Sequence, residues 1–257
     1  MVVYVITHKN FDYHSLQKGY VPLLVGAYNK KNKYNFLTDN TGDNISQKNK
    51  YFCEETGLYW IWKHSNDNKV GISHYRRFFS DCANRKMMYL NLLLRNNTKI
   101  ISVEKLDRIL SDGYQWILSQ PEHGGDGTLW NQFASNHNLH DLEVTEATIR
   151  NLTPEYSDAF GEVMKHRSTG SFYNMFYTTH EQLNLYCEWL FKILFAVEKK
   201  TDVSNYDNYQ QRLYGFLAER LLNVWICKNK SRVKYLPVFE TEKMNRNYVL
   251  NILKKTV

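Results

Sequence analysis

The chain has 257 residues, a formal charge of +7 and a hydrophobic fraction of 43%, with only four prolines and twelve glycines. That length suits one large α/β domain, and the low proline and glycine content excludes a disordered or repeat-built chain. No apolar run reaches the roughly 18 residues of a membrane-spanning helix, and MVVYVITHK lacks the basic start and long apolar stretch of a secretion signal.

Cys53, Cys82, Cys187 and Cys227 stand far apart, with no CxxC pair and no histidine at zinc-finger spacing. This pattern predicts reduced core thiols in a cytosolic protein. The positive charge comes without a long Lys/Arg block or a nucleic-acid motif, so nucleic acid is not expected as a partner. An anionic small molecule such as a sugar diphosphate, or an anionic membrane surface, remains. The basic stretch Lys228, Lys230, Arg232, Lys234, Lys254 and Lys255 either touches such a surface or is a solvated face. Nineteen tyrosines and six tryptophans exceed the ordinary need of a core. Some are expected to line a groove, because aromatic faces stack on sugar rings and bases.

In chain order, the β-branched run 2–7 predicts a buried parallel strand with Thr7, His8 and Lys9 at its carboxyl end. A second extended segment covers 20–27, an Asn/Lys-rich loop 29–35 and a turn-rich loop 38–44. A helix is predicted over 45–63 with Ser46 as its N-cap, then a turn at 66–68 and a short strand at 70–73. Further helices are expected at 103–112, 130–136, 142–151 and from Pro154 to about 165, with a strand near 114–118 and a flexible GGDG loop at 124–127. A strand at 171–177 leads to Thr179, which caps a long helix over 180–198, and a second helix covers 208–228. Strands first and helices last predict an α/β fold: a Rossmann-type mixed sheet flanked by helices, closed by a C-terminal helical pair.

Several constellations could carry chemistry. His74, Tyr75, Arg76 and Arg77 follow strand 70–73, at the sheet edge where α/β folds bind ligands. Two adjacent arginines can neutralise a diphosphate through bidentate bonds, or pair with surface carboxylates. Asp43 and Asn44 precede a helix and could meet a base or ribose, or simply form a turn. Asn174, beside Tyr173 in an apolar strand, could bond a sugar hydroxyl or be a core amide. Arg212 and Glu219 are seven apart and would share a helix face, as a salt-bridge network or as part of a site. In NHNLHDLE (136–143), His137 and Asp141 are four apart and would face the same way if helical. No DxD pair exists to hold Mg²⁺ or Mn²⁺. Asp107, Asp112, Asp126 and Asp141 are isolated, Asp39 and Asp43 have the wrong spacing, and Arg76 and Arg77 could replace a metal electrostatically.

The runs TGDNISQKNKYFCEETGLYWIWKH (41–64), VGISHYRRFF (70–79), YNMFYTTHEQLNLYCEWLFKIL (173–194) and YQQRLYGFLAERLLNVWI (209–226) resemble the DUF4422 family. The resemblance extends from VYVITHK (3–9) to YLPVFE (235–240) and is weak over 80–170. The family's common CELT reads CEET here, at 53–56. The resemblance implies a single GT-A-like glycosyltransferase domain over 1–257, with a nucleotide-binding half to about 120 and an acceptor half beyond it. It implies transfer from a UDP-sugar, UDP-galactofuranose among the candidates, to a glycan or lipid-linked acceptor in capsule, exopolysaccharide or O-antigen synthesis. A cytoplasmic enzyme with a peripheral contact at the inner face of the plasma membrane is expected. Thr7, His8, Lys9, Asp43, Asn44, His74, Tyr75, Arg76 and Arg77 then serve the nucleotide, and Tyr173, Asn174 and Arg212 the substrate. A carboxylate must take the acceptor proton. Asp141 is the first choice, with Glu181 and Glu219 behind it. Mn²⁺ or Mg²⁺ has no evident ligand set. The rival is a non-catalytic glycan-binding or scaffold component of a polysaccharide assembly complex.

Overall fold

A computed structural model describes residues 1–256. Strands β1 (Val2–Thr7), β2 (Tyr20–Leu24) and β3 (Leu37–Thr38) precede helices α1 (Asn49–Phe52) and α2 (Glu55–His64) and the hairpin β4 (Lys69–His74) and β5 (Arg77–Phe79). Next come α3 (Arg85–Arg95), α4 (Val103–Ser111), β6 (Trp116–Ser119), β7 (Glu122–His123), α5 (Leu129–Asn136), α6 (Leu139–Leu152), α7 (Ser157–His166), β8 (Thr169–Gly170) and β9 (Phe176–Thr179). Helices α8 (His180–Glu198) and α9 (Leu213–Lys228), strands β10 (Val233–Leu236) and β11 (Val238–Glu240), and α10 (Arg246–Thr256) follow.

All six β1 residues are buried, so both faces of the strand are covered. Val2, Tyr4 and Ile6 pack toward α2, α8 and α9 in the main core. Val3 and Val5 face the second core, with Val103, Leu106 and Leu110 of α4. The main sheet runs β10-β6-β9-β4-β1-β2-β3, with β5 and β11 attached beside β4. β9 is antiparallel to both neighbours, and the other pairs along this order are parallel. The result is the expected mixed α/β sheet flanked by helices. β9 and β10 come from the second half of the chain, so the two halves interleave in one sheet.

The order has a direct consequence. From β1 the chain steps outward through β2 and β3, then returns to lay β4 on the other side of β1. The carboxyl ends of β1 and β4 therefore flank a topological switch point, where the connections diverge and leave a crevice. Gly57 lets α2 close on this edge: a Cβ there would stand 2.7 Å from both Ile6 Cδ1 and Val25 Cγ1. Leu58 and Ile61 of α2 are fully buried, each contributing about 1.5–3 kcal/mol.

Three expected elements differ. The helix over 45–63 is broken: Cys53 takes φ 51, ψ −127, separating α1 from α2. Ser46 caps neither piece, because its hydroxyl donates to Asp39 Oδ1 at 2.5 Å. The strand at 171–177 shifts to Phe176–Thr179, since Tyr173 (φ 77) and Asn174 (φ 49) are both left-handed and cannot continue a strand. The helix over 208–228 begins as a 3₁₀ turn at Gln210–Arg212. Thr179 caps α8 as expected, accepting from Gln182 N–H at 3.3 Å.

Candidate functional site

A cleft of about 460 Å³ opens at the switch point. Its base is the carboxyl ends of β1 and β4: Thr7 and His8 on one side, His74 with the hairpin residues Tyr75, Arg76 and Arg77 on the other. The α1–α2 junction supplies Lys50, Cys53 and Glu54. Tyr173 enters from the loop before β9, and Arg212 and Glu219 from the start and interior of the α9 segment.

The cations are partly balanced at the rim. Glu240 lies opposite Arg77 in the β5–β11 register, which sets its carboxylate 3.6 Å from Arg77 Nε and 3.9 Å from Arg76 Nε. Arg76 Nη1 reaches Glu242 at 3.4 Å. The Arg77 guanidinium lies 4.8 Å over the Tyr173 ring, and its buried Nε–H faces the Glu240 carboxylate at ion-pair distance without a hydrogen bond. His8 titrates below the usual histidine range, because burial, and then the charges of Lys30, Lys9, Arg76 and Arg212, disfavour a further positive charge. Lys9 stands back from the lining, 4.9 Å over the Tyr75 ring.

Two carboxylates share this cationic setting. Glu219 accepts from Tyr173 N–H at 3.0 Å and pairs with Arg220 Nη1 at 3.3 Å. Burial pushes its pKa up, against the pull of Arg220. Glu54 accepts from Asn174 Nδ2 at 2.9 Å. His74 Nε2 lies 2.5 Å from the Tyr173 carbonyl, which requires the proton on Nε2. Burial pulls the His74 pKa down, so the ring is neutral near pH 7.

Of the three carboxylates chosen from the sequence, Glu219 lines the cleft and the other two lie elsewhere. Asp141 is buried in α6, where Tyr206 O–H donates to it at 3.1 Å and burial raises its pKa. It does not share a helix face with His137, because His137 ends α5 and Asn138 begins α6. His137 instead stacks on Phe216 with ring centroids 4.2 Å apart. Glu181 is exposed at the start of α8. β9 is antiparallel to β4, with Thr179 opposite Lys69, so α8 starts at the sheet edge away from the cleft. Asp43 and Asn44 also stand apart from the lining: Asp43 accepts from Tyr59 O–H at 3.0 Å, and Asn44 bonds within its own turn. Asn174 is buried just behind the cleft wall. Arg212 bonds Cys53 Sγ at 3.2 Å and forms no pair with Glu219, because it precedes α9 in the 3₁₀ turn.

Sequence reasoning missed Lys50, Cys53 and Glu54. They sit in one of the runs that carry the family resemblance, but a continuous helical pattern hid the break that turns Glu54 into the cleft. Among the described residues, no group of three or more His, Cys, Asp or Glu side chains is arranged to hold a metal ion, and no helix is long and apolar enough to cross a membrane.

Among curated proteins, none matches the chain. The apo structure of WbbM, a bifunctional glycosyltransferase, is similar with a TM-score of 0.77 and 28% identity, over 92% of this chain and 44% of that one. The chain thus spans less than half the length of that protein. The model of DUF4422, a domain of unknown function, matches residues 2–230, and the chain belongs to that family.

Proposed function

We propose that the chain is a glycosyltransferase that moves a sugar from a UDP-sugar to a glycan or lipid-linked acceptor during capsule, exopolysaccharide or O-antigen synthesis. The observation that carries this reading is the gathering of Arg76, Arg77 and Arg212 with the carboxylates Glu54 and Glu219 in one switch-point cleft. Likeness to a bifunctional glycosyltransferase supports it. UDP-galactofuranose is among the candidate donors, by the family resemblance. The reaction belongs in the cytoplasm, with peripheral contact at the inner membrane face when the acceptor is lipid-linked.

The chemistry follows from charge. As the anomeric C–O bond breaks, negative charge grows on the departing diphosphate, and fixed cations at that point lower the barrier. Arg77, seated over Tyr173, offers a planar fork that matches phosphate oxygens. The acceptor hydroxyl must lose a proton as it attacks, which calls for a carboxylate in the same cleft.

The test is UDP release from a panel of UDP-sugars, with and without glycan acceptors. One donor should give acceptor-stimulated UDP release. Glycan binding without UDP release from any donor would point instead to a binding or scaffold module.

A further inference from the structure

We infer that Glu54 is the group that takes the proton from the acceptor hydroxyl, held for that task by Asn174; this rests on the glycosyltransferase reading above. Three non-glycine residues with positive φ lie in the two segments that meet at this carboxylate. Cys53, directly before it, sits at φ 51, ψ −127. Tyr173 and Asn174, at φ 77 and φ 49, form the loop that delivers the Asn174 amide to Glu54 Oε1 at 2.9 Å. Each such conformation costs on the order of 1–3 kcal/mol and persists only where the surroundings over-determine it.

The surroundings do so here. The Cys53 carbonyl accepts from Asn49 Nδ2 at 2.6 Å, and the same amide donates to the Thr56 hydroxyl at 3.0 Å. Asn174 is 4% exposed, and its amide also approaches the Gly215 carbonyl at 3.4 Å. Other non-glycine residues with positive φ, such as Asn35, Asn96 and Lys230, are exposed and lie away from the cleft lining. The strain is thus concentrated where the molecule fixes Glu54.

Glu219 is suited to a different task. Both its oxygens are engaged, one by Tyr173 N–H and one by Arg220, so it is a positioning residue for the Tyr173 loop. Glu54 has Oε1 engaged by Asn174, which leaves Oε2 for the acceptor. In the step, the acceptor O–H proton passes to Glu54 Oε2 and the acceptor oxygen bonds the anomeric carbon. The bond from that carbon to the β-phosphate oxygen breaks, and its electron pair leaves with UDP. The proton on Glu54 then passes to solvent.

The charged and titratable groups around Glu54 are His74 on β4, Arg212 and Glu219 from the α9 side, and Cys53 and Glu55 on its own segment. Burial keeps His74 neutral and pushes the Cys53 thiol up to about 12, so neither changes charge near pH 7.

The experiment uses the full chain with the donor and acceptor found by the UDP-release panel. Glu54→Gln should cut transfer by about 10²–10⁴-fold, with UDP affinity by calorimetry unchanged. Azide, which has no proton to lose, should restore glycosyl transfer to that variant as the glycosyl azide. Asn174→Gly keeps the left-handed backbone and removes only the amide. It should lower kcat about tenfold or more while leaving KM for the donor and UDP affinity unchanged, because Glu54 loses the donor that orients it. A wild-type chain that releases no UDP sinks both the function and this inference. An active wild type whose Glu54→Gln variant transfers normally, or is not restored by azide, overturns the inference alone.

Discussion

Glu54 and Glu55 are neighbours in CEET with opposite surroundings. Glu54 faces the cleft, whereas Glu55 is 1% exposed in the core and neither of its oxygens has a hydrogen-bond partner. Burial, and then the nearby charges of Glu54 and Glu219, hold the Glu55 pKa well above the usual carboxylate range. The folded state thus favours the protonated acid. Its stability is fully present below the unfolded value of about 4.3 and is lost as pH rises from there toward the folded value. Leucine, the residue the CELT form of the resemblance puts here, fits the same helical position without this cost. Glu55→Leu should therefore stabilise the fold by about 1–3 kcal/mol, the cost of an unsatisfied buried polar group. The gain, read from urea midpoints, should grow as pH is raised above about 4.3. A less stable leucine variant contradicts this account of Glu55. At Arg77 the geometry of the guanidinium matters as well as its charge. Arg77→Lys keeps the charge and loses the fork over Tyr173, so turnover should fall about tenfold or more; unchanged kinetics would mean that a point charge suffices. The arginines were legible in the sequence because a β-branched strand points straight at them. Glu54 was not, since its role depends on a backbone break at a cysteine, which no propensity foretells.

At the scale of elements, Asp39 takes the Ser46 hydroxyl that was expected to cap a helix. It is fully buried and accepts from Gly26 N–H at 2.8 Å, Ala27 N–H at 3.0 Å, the Ser46 hydroxyl at 2.5 Å and the Thr56 hydroxyl at 2.6 Å. These bonds tie the loops after β2 and β3 to the start of α2, and through Thr56 to the Asn49 amide that also bonds the Cys53 carbonyl behind Glu54. Asp39→Ala would leave several buried donors unpaired at once. It should destabilise the fold by about 3 kcal/mol or more and reduce transfer further in the folded fraction, as seen by denaturant titration alongside kinetics. A variant with near-normal stability would show that water replaces the carboxylate. The strongly periodic or continuous elements, β1, α4, α8 and α9, were legible because one stripe or run of apolar residues specifies each. The α1–α2 break and the Tyr173–Asn174 loop were not, because long-range bonds to Asp39 and Glu54 outweigh local preference there. The spacing argument for His137 and Asp141 failed for a related reason: it assumed one helix where Asn138 starts a second.

At the scale of the molecule, the strand order places the candidate cleft, since the reversal between β1 and β4 leaves a crevice at the carboxyl ends of those strands. The α/β class was readable from the mixture of strands and helices, but the order was not: after the expected closing pair α8 and α9, the chain returns to the sheet as β10 and β11. The antiparallel β9 was not, because its place between β4 and β6 is decided by pairing across more than fifty residues. Arg76, Arg77, Arg212 and Lys50 bring to this crevice the kind of charge a metal ion supplies to a diphosphate. Transfer is therefore expected to continue in excess EDTA; complete loss restored by Mn²⁺ would assign that task to a metal instead.

The central claim, that the switch-point cleft binds a nucleoside diphosphate through its arginines, is tested most directly by calorimetric titration of UDP. The wild type should bind UDP more tightly than uridine, and the Arg76→Ala, Arg77→Ala double variant should lose about 10–100-fold in UDP affinity while leaving uridine affinity unchanged. Equal UDP affinity in the wild type and the double variant would contradict it.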